Sequence, residues 1–230
     1  MASSALITGG TGGLGAAVTQ AFLATGWRVV VPVFDAAERE RLPAHESLVL
    51  EPADLFEEGS ARAVAELAAG DAAAPLRAVV NLVGGFAAGG RVHETPIADF
   101  ESQLRLNLRP AYLVCHAAIP HLLAGGGGAI VCVSSRAARQ PFSGAAGYIV
   151  AKTAVLAFVD VLHAEYAADG IRANAILPSV IDTPANRRSM PDADHGRWVA
   201  PAQIAATVRF LCEDESDIVS GAHVPVYGRA

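Results

Sequence analysis

The chain has 230 residues, of which 52% are hydrophobic and 17% are charged, and its formal net charge is −6 at pH 7. This length fits one domain with a large core, and an acidic chain without a compensating basic block argues against nucleic acid and anionic membranes as partners. The three cysteines and seven histidines show no metal-ligand spacing, so we predict no metal and expect reduced, buried thiols.

The first residues, MASSALITGG, show no basic segment followed by a long apolar run. No stretch of the chain is expected to span a bilayer. We therefore expect a cytoplasmic protein that begins directly with a strand. The apolar content exceeds what a soluble monomer needs, which predicts that some surface is buried in a homodimer or homotetramer.

Apolar runs alternate with helix-forming segments along the whole chain. Strands are predicted over residues 3–8, 28–33, 47–50, 76–83, 129–134, 171–177 and 222–226. Helices are predicted over residues 16–25, 36–41, 57–69, 96–123, 145–168 and 202–211. The strands are continuous apolar runs, which is typical of a parallel sheet covered on both faces. The predicted fold is therefore α/β, a single domain over residues 1–230 with a doubly wound parallel sheet of about seven strands and helices on both faces.

A glycine-rich turn, GGTGGLG over residues 9–15, joins the first predicted strand to the first helix. Glycines let backbone N–H groups approach a phosphate closely, and the helix directs the positive end of its dipole at the same place. Glycine turns are also common without ligands. The position between a first strand and a first helix nevertheless favours a bound nucleotide.

A second motif occupies residues 134–152, SSRAARQPFSGAAGYIVAK. If residues 145–168 are helical, Tyr148 and Lys152 project from one face, one turn apart. A neighbouring ammonium lowers the pKa of a phenol from roughly 10 toward neutrality, and the hydroxyl of Ser135 can donate to a carbonyl oxygen that gains charge. The alternative is a surface tyrosine and lysine beside an unrelated serine. The motif thus indicates proton chemistry only together with the rest of the chain.

Two long helices carry further signals. Asn107 lies near the middle of the helix over residues 96–123, and Pro110 removes the N–H that would bond the carbonyl of Leu106, so a kink is predicted there. The helix over residues 145–168 is apolar nearly all round, which predicts a second packing partner.

In this order the motifs resemble those of the classical short-chain dehydrogenase/reductase family over essentially the whole chain. The turn after Thr8 resembles the family's cofactor motif, and residues 81–84 resemble its Asn-Asn-Ala-Gly segment, with Leu82 and Val83 departing from it. The residues that match the catalytic tetrad are Asn107, Ser135, Tyr148 and Lys152.

The resemblance implies a Rossmann-type fold and an NAD(P)-dependent oxidoreductase that transfers a hydride between the nicotinamide and a carbonyl/alcohol substrate. Tyr148 is then the general acid or base, and Lys152 lowers its pKa and holds the nicotinamide ribose. Ser135 polarises the substrate oxygen, and Asn107 anchors a relay water.

The resemblance also implies the cofactor contacts. These are Thr8, Gly9, Thr11, Gly13, Leu14, Gly15, Asp35, Asp54, Leu55, Asn81, Gly84, Tyr148, Lys152, Pro178, Ile181 and Thr183. Among them, the resemblance implies that Asp54 contacts the adenine, and that the Ile181 backbone and the Thr183 hydroxyl contact the nicotinamide amide. Ser179 stands where the family usually has glycine, so the backbone there must tolerate a Cβ.

The choice between NAD and NADP stays open. Asp35 follows the second strand slightly late and suits a ribose contact or a helix N-cap equally well. Arg39 and Arg41 follow it and are the nearest basic residues.

Residues 184–200 are expected to cover the substrate pocket. One hypothesis is that Arg187 and Arg188 attract an acidic or phosphorylated group, and a solvated loop is the alternative.

Among enzymes, a 3-oxoacyl-thioester reductase or a pteridine-type reductase is an alternative activity. A non-catalytic NAD(P)-sensing module on the same fold is the alternative from another class. The intact tetrad favours an enzyme, since a sensor needs no proton donor.

Overall fold

The structure, a computed structural model, describes residues 2–229 and is built on a seven-stranded, all-parallel sheet. The strands are β1 (Ser4–Thr8), β2 (Arg28–Val33), β3 (Leu48–Pro52), β4 (Leu76–Asn81), β5 (Gly128–Val133), β6 (Ile171–Pro178) and β7 (His223–Val226). Their order across the sheet is β3-β2-β1-β4-β5-β6-β7. The order reverses between β1 and β4, and open sheets of this kind bind ligands at that switch point, outside the carboxyl ends of the strands.

Helices cover both faces of the sheet. They are α1 (Gly15–Leu23), α2 (Glu58–Ala69), α3 (Ile97–Ala124), α4 (Ala146–Tyr166), α5 (Pro184–Ser189) and α6 (Pro201–Cys212). Short 3-10 turns lie at Ala36–Arg41, Val92–Glu94, Arg136–Ala138, Ala167–Asp169, His195–Arg197 and Asp214–Ser216. The core beneath α2, α3 and α4 lies on one face of the sheet, and the core beneath α1 and α6 lies on the other. The predicted single, doubly wound α/β domain is confirmed.

The central strands show why their sequences are apolar without interruption. Leu6 of β1 packs in the core on one face of the sheet, whereas Ala5 and Ile7 pack in the core on the other, and all three are fully buried. Successive side chains of a strand point to opposite faces, so a sheet with two covered faces needs apolar residues at every position.

Three elements differ from their predicted form. β4 ends at Asn81 rather than at residue 83, because the N–H of Leu82 donates to the Thr8 hydroxyl at 3.1 Å. Residues 184–200 are predicted as a cover without a helix, but they begin with α5, whose first turn is capped by the Thr183 hydroxyl. The predicted helix over residues 36–41 is a 3-10 turn. Helix α3, in contrast, continues through Pro110 and Pro120 as predicted, and the kink near Asn107 stays a prediction.

Helix α4 and the turn that follows it form a stretch, Ala146–Asp169, that is long and apolar enough to cross a membrane by length and composition. A core helix passes the same test, so the expectation that no stretch spans a bilayer stays a prediction. Val155, Val159 and Leu162 of α4 pack in the core against the sheet. Val150 and Val161 face outward and are 45% and 47% exposed, so one apolar face remains uncovered in the single chain.

Candidate active site

The glycine turn between β1 and α1 depends on glycine at both ends. Gly9 has a φ of +64°, and its carbonyl accepts a hydrogen bond from the N–H of Gly12 at 3.0 Å. A Cβ on Gly15 would lie 1.9 Å from the same carbonyl oxygen. The turn is therefore tight enough to bring successive backbone N–H groups to one side.

Those N–H groups fit the pyrophosphate of a dinucleotide. Within residues 2–229, the N–H groups of Gly13, Leu14 and Gly15 donate to no backbone carbonyl. They lie at the N-terminus of α1, where the helix dipole adds positive potential. Unpaired N–H donors and a helix dipole together favour a bound phosphate.

The segment after β6 lies across this turn. A Cβ on Gly13 would come within 2.8 Å of Cγ2 of Thr183, a residue that is only 9% exposed. Ile181 pairs with Val199 in an isolated bridge, which fixes the path of the segment. The glycine turn and the segment through Thr183 therefore lie against each other.

Two predicted cofactor contacts turn their side chains into the protein. The Thr8 hydroxyl is buried and accepts from the N–H of Leu82, as described above. The Asn81 amide donates to the sulfur atoms of Cys115 at 3.3 Å and Cys132 at 3.7 Å. These residues can reach a cofactor only through main-chain atoms.

The residues predicted around the adenosine are held locally. Asp54 accepts a hydrogen bond from the N–H of Phe56 at 2.9 Å, and the side chain of Leu55 is in the core. Asp35 accepts from the N–H of Ala37 at 3.0 Å and caps the 3-10 turn that follows. Asp35 is expected either to contact the cofactor ribose or to cap a helix, and in this structure its carboxylate acts as an N-cap.

A carboxylate that the sequence did not single out lies at the mouth of the glycine turn. The hydroxyl of Thr11 donates to Oε2 of Glu38 at 2.6 Å, and Arg41 contacts Oε1 of the same carboxylate at 2.8 Å. Arg39 donates to the carbonyl of Leu50 at 2.6 Å. Both arginines that follow Asp35 in the sequence are therefore engaged within the chain.

Lys152 is buried beneath Tyr148. Its Nζ donates to the carbonyl of Val133 at 3.0 Å and lies 5.9 Å from the centroid of the Tyr148 ring. Only 5% of Lys152 is exposed, and burial lowers its pKa to about 8 because a low-dielectric environment disfavours the charged form.

The phenol of Tyr148 and the hydroxyl of Ser135 line the same cavity. Burial raises the pKa of Tyr148 above its usual value, and a hydrogen bond with Ser135 acts in the opposite direction. Lys152 is predicted to lower this pKa, but the net shift is upward because the cost of burying a phenolate dominates. At neutral pH the phenol holds its proton.

Gly84 separates Lys152 from Asn107. A Cβ at Gly84 would lie 2.7 Å from Oδ1 of Asn107 and 3.0 Å from Nζ of Lys152. The Asn107 amide accepts from the N–H of Gly85 at 3.1 Å and donates to its carbonyl at 3.0 Å. It also donates to the carbonyl of Gln103 at 3.1 Å. Both polar atoms of this side chain are thus bonded, and it clamps the segment that follows β4. The relay water that Asn107 is expected to anchor stays a prediction.

A cavity of about 530 Å³ opens beside Ser135 and Tyr148. The ring of Phe86 stands edge-on to that of Tyr148, with centroids 5.0 Å apart and an interplanar angle of 89°, and Phe142 lies 6.3 Å from Phe86. The sequence analysis missed both phenylalanines. The only signal was a large aromatic residue directly after the Gly84-Gly85 pair, since neither residue lies in a periodic segment.

The loop after β6 forms another wall of the cavity, with Pro178, Ser179 and Ile181 among its lining residues. Ser179 donates its hydroxyl to the carbonyl of Tyr227 at 2.5 Å. No non-glycine residue between positions 2 and 229 has a positive φ, so the backbone accepts serine where the family usually has glycine.

Two residues of segment 184–200, Asn186 and Met190, also line the cavity. Arg187 does not; it forms a two-pronged ion pair with Asp182, with N–O distances of 2.5 and 2.8 Å, which also lowers the pKa of that carboxyl. Arg188 is likewise absent from the lining. The hypothesis that these two arginines attract an acidic group finds no support here.

Across the described part of the chain, no group of three His, Cys, Asp or Glu side chains is arranged to hold a metal ion. The doubly wound sheet, the glycine turn at its switch point and the Ser-Tyr-Lys site beside it define the class as a dinucleotide-dependent oxidoreductase.

Comparison with known proteins gives the family. Residues 9–228 match a family model described as enoyl-(acyl carrier protein) reductase, and the chain belongs to the short-chain dehydrogenase/reductase family. It is 31% identical over 246 residues to 2-(R)-hydroxypropyl-CoM dehydrogenase of Xanthobacter autotrophicus, covering 99% of this chain and 98% of the relative. It is 30% identical over 244 residues to D-threitol dehydrogenase of Mycolicibacterium smegmatis, covering 97% and 91%.

A solved structure shows the same fold. A short-chain type dehydrogenase/reductase from Mycobacterium ulcerans superimposes with a TM-score of 0.91 at 24% identity, covering 99% of this chain and 89% of that one. The chain is accordingly an NAD(P)-dependent oxidoreductase.

Proposed function

We propose that the chain interconverts a secondary alcohol and the corresponding ketone, with Tyr148 exchanging the proton. The observation that carries this proposal is that Ser135 and Tyr148 meet in one cavity above the buried ammonium of Lys152. The names of the two relatives, a hydroxypropyl-CoM dehydrogenase and a threitol dehydrogenase, both describe oxidation of an alcohol and support the same reaction type.

In the reducing direction, the Ser135 hydroxyl donates a hydrogen bond to the ketone oxygen, and Tyr148 transfers its proton to that oxygen as negative charge develops. A bound nicotinamide supplies the hydride in reduction and accepts it in oxidation. The ammonium of Lys152 stabilises the phenolate that remains on Tyr148. Asn107 is a positioning residue, because its amide holds Gly85 and thereby the wall that carries Phe86.

We assign the pyrophosphate of the cofactor to the free N–H groups of Gly13, Leu14 and Gly15. The segment through Thr183 closes over the same groove, which supports its predicted contact with the nicotinamide half. Residues 184–200 are proposed as the cover of the substrate cavity because Asn186 and Met190 line it.

We also propose that the cofactor is NAD rather than NADP. The Glu38 carboxylate lies 2.6 Å from the Thr11 hydroxyl, within the turn that holds the cofactor. A carboxylate at this place accepts hydrogen bonds from ribose hydroxyls and repels a 2′-phosphate. Fluorescence titration is expected to give a lower dissociation constant for NADH than for NADPH. The Glu38→Gln variant should bring these two dissociation constants closer together. Tighter NADPH binding by the unsubstituted protein would refute this choice.

The general experiment combines cofactor binding with turnover. The purified protein is titrated with NADH and NADPH, and a panel of ketones is then followed at the nicotinamide absorbance. The proposal expects dinucleotide binding and reduction of at least one ketone class. A protein that binds a dinucleotide but turns over neither ketones nor alcohols would instead fit the sensing module.

The uncovered face of α3 and α4 supports a homo-oligomer. Tyr112, Leu108 and Phe158 line an apolar groove of about 680 Å³ between these helices. We propose that a second copy of this chain covers it, since a two-fold axis can pair the same two helices from each subunit. Light scattering should give at least twice the chain mass of 23.6 kDa, and Tyr112→Glu should reduce it. A monomer at micromolar concentration would contradict this assembly.

A cytoplasmic location is also proposed, because the three cysteines are free and buried, as expected for a protein in a reducing compartment.

A further inference from the structure

We propose that the substrate carries a carboxylate or sulfonate group, and that Arg136 binds it. This inference rests on the proposed alcohol/ketone function and specifies the substrate class. Arg136 directly follows Ser135 and lines the same cavity as Ser135 and Tyr148. Among the described residues that line this cavity, it is the only charged one.

The guanidinium of Arg136 has no counterion within residues 2–229. It forms no ion pair and donates no hydrogen bond there, and its one recorded contact is with the ring of Tyr227, 5.9 Å from the centroid. The residue is half-buried. A partly desolvated cation without a partner is costly, so an arrangement of this kind favours a ligand that supplies the missing negative charge.

Neighbouring arginines differ from Arg136 in this respect. Arg187 is paired with Asp182, Arg139 contacts the ring of His223 at 2.5 Å, and Arg197 donates to the carbonyl of Arg229 at 3.3 Å. Arg136 alone among these four both faces the cavity and keeps its N–H groups free.

The chemistry of the side chain selects an oxyanion. Guanidinium presents a planar fork of N–H donors that matches two oxygens of a carboxylate or sulfonate. The Arg136 guanidinium lies over the Tyr227 ring, 5.9 Å from its centroid, and donates no hydrogen bond to that ring's neighbours, so its N–H groups are available to a ligand. Since Ser135 and Arg136 line one cavity of about 530 Å³, we expect the anion and the reacting carbon to belong to one small substrate. Phe86 and Phe142 supply the apolar wall for that connecting chain.

The test compares keto acids with their uncharged esters. Acetoacetate, levulinate and phenylpyruvate are each assayed against the ethyl ester, and acetone sulfonate against acetone, in the assembled enzyme with saturating cofactor. The unsubstituted enzyme is expected to show a higher kcat/KM for at least one acid than for its neutral partner. Arg136→Gln should lower that acid-to-ester ratio roughly 10- to 100-fold, chiefly through KM, because charge-assisted hydrogen bonds contribute on this scale.

Two further variants separate charge recognition from structural damage. Arg136→Lys should restore part of the ratio, and Arg62→Gln, which removes an exposed arginine on α2, should leave it unchanged. An equal loss on acids and esters in Arg136→Gln would show a structural role and overturn the proposal. So would an unsubstituted enzyme that reduces every ester at least as well as its acid. Either result leaves the ketone reductase function intact, whereas failure on all ketones would remove that function first.

Discussion

Lys152 and Val133 are joined by a hydrogen bond of 3.0 Å from the buried ammonium to the main-chain carbonyl. A second bond runs the opposite way, from the Ser134 hydroxyl to the carbonyl of Lys152 at 2.7 Å. Helix α4 is thus tied to the end of β5 at the residue that carries the positive charge. Sites supported by rigid elements in this way hold their geometry better than sites placed on loops.

Lys152 is the only lysine in the sequence, so its pKa can be measured without assignment. Protein labelled with ¹³Cε-lysine should give one resonance. We expect its chemical shift to titrate with a midpoint near the value of about 8 that burial produces, and not near 10.5. A midpoint at the ordinary lysine value would show that the ammonium is solvated and would remove the buried cation from the site.

The same shift predicts how stability depends on pH. Between about pH 8 and pH 10.5 the folded protein binds fewer protons than the unfolded chain, so the free energy of unfolding should rise with pH across this window. Below about pH 8 the lysine is charged in the folded protein, and burying its ammonium lowers the free energy of unfolding by the full amount. Relative to Lys152→Met, which lacks this titration, the unsubstituted protein should gain up to about 3 kcal/mol between pH 7.5 and 10.5.

Urea denaturation of both proteins at a series of pH values measures that difference. Subtracting one curve from the other removes the titrations that they share. The buried cation would be contradicted if the difference in free energy of unfolding stayed constant with pH. It would also be contradicted if the unsubstituted protein lost stability relative to Lys152→Met as pH rises.

Gly84→Ala is expected to abolish most activity without unfolding the protein. The added methyl would lie 2.7 Å from Oδ1 of Asn107 and 3.0 Å from Nζ of Lys152, so both side chains must move. Gly59→Ala in α2 is the matched control, because a Cβ there meets nothing within 4 Å. It should keep full activity and stabilise the helix by roughly 0.5 to 1 kcal/mol. Kinetics and thermal unfolding of the two variants, measured together, check both expectations, and an active Gly84→Ala would contradict the packing described here.

The sequence predicted the sheet, the helices and the placement of Tyr148 and Lys152 on one helix, and these share one physical reason. Continuous apolar strands and long helices impose their own spacing, so Tyr148 and Lys152 had to lie on one face once the helix was recognised. The contact between Thr11 and Glu38 joins two loops 27 positions apart, and no periodicity connects them. The raised pKa of Tyr148 was also beyond sequence analysis, because it depends on burial that distant segments create.

The direction of the Tyr148 and Lys152 shifts predicts opposite pH profiles for the two directions of reaction. Ketone reduction needs a protonated phenol and a charged lysine, so its kcat/KM should be level at neutral pH and fall above about 8, where Lys152 loses its proton. Alcohol oxidation needs the phenolate, so its kcat/KM should increase toward alkaline pH. Initial rates in both directions across this range test the assignment, and a reduction rate that increases with pH would contradict it.

Replacement of Tyr148 by phenylalanine tests the central claim most directly. The variant removes one hydroxyl and leaves the ring beside Phe86, so turnover should fall roughly 100- to 10,000-fold while NADH affinity stays within about twofold. Tyr166→Phe, in the same helix, should match the unsubstituted protein in both measurements. If Tyr148→Phe keeps its turnover, or loses cofactor binding in proportion to turnover, the phenol is not the proton donor.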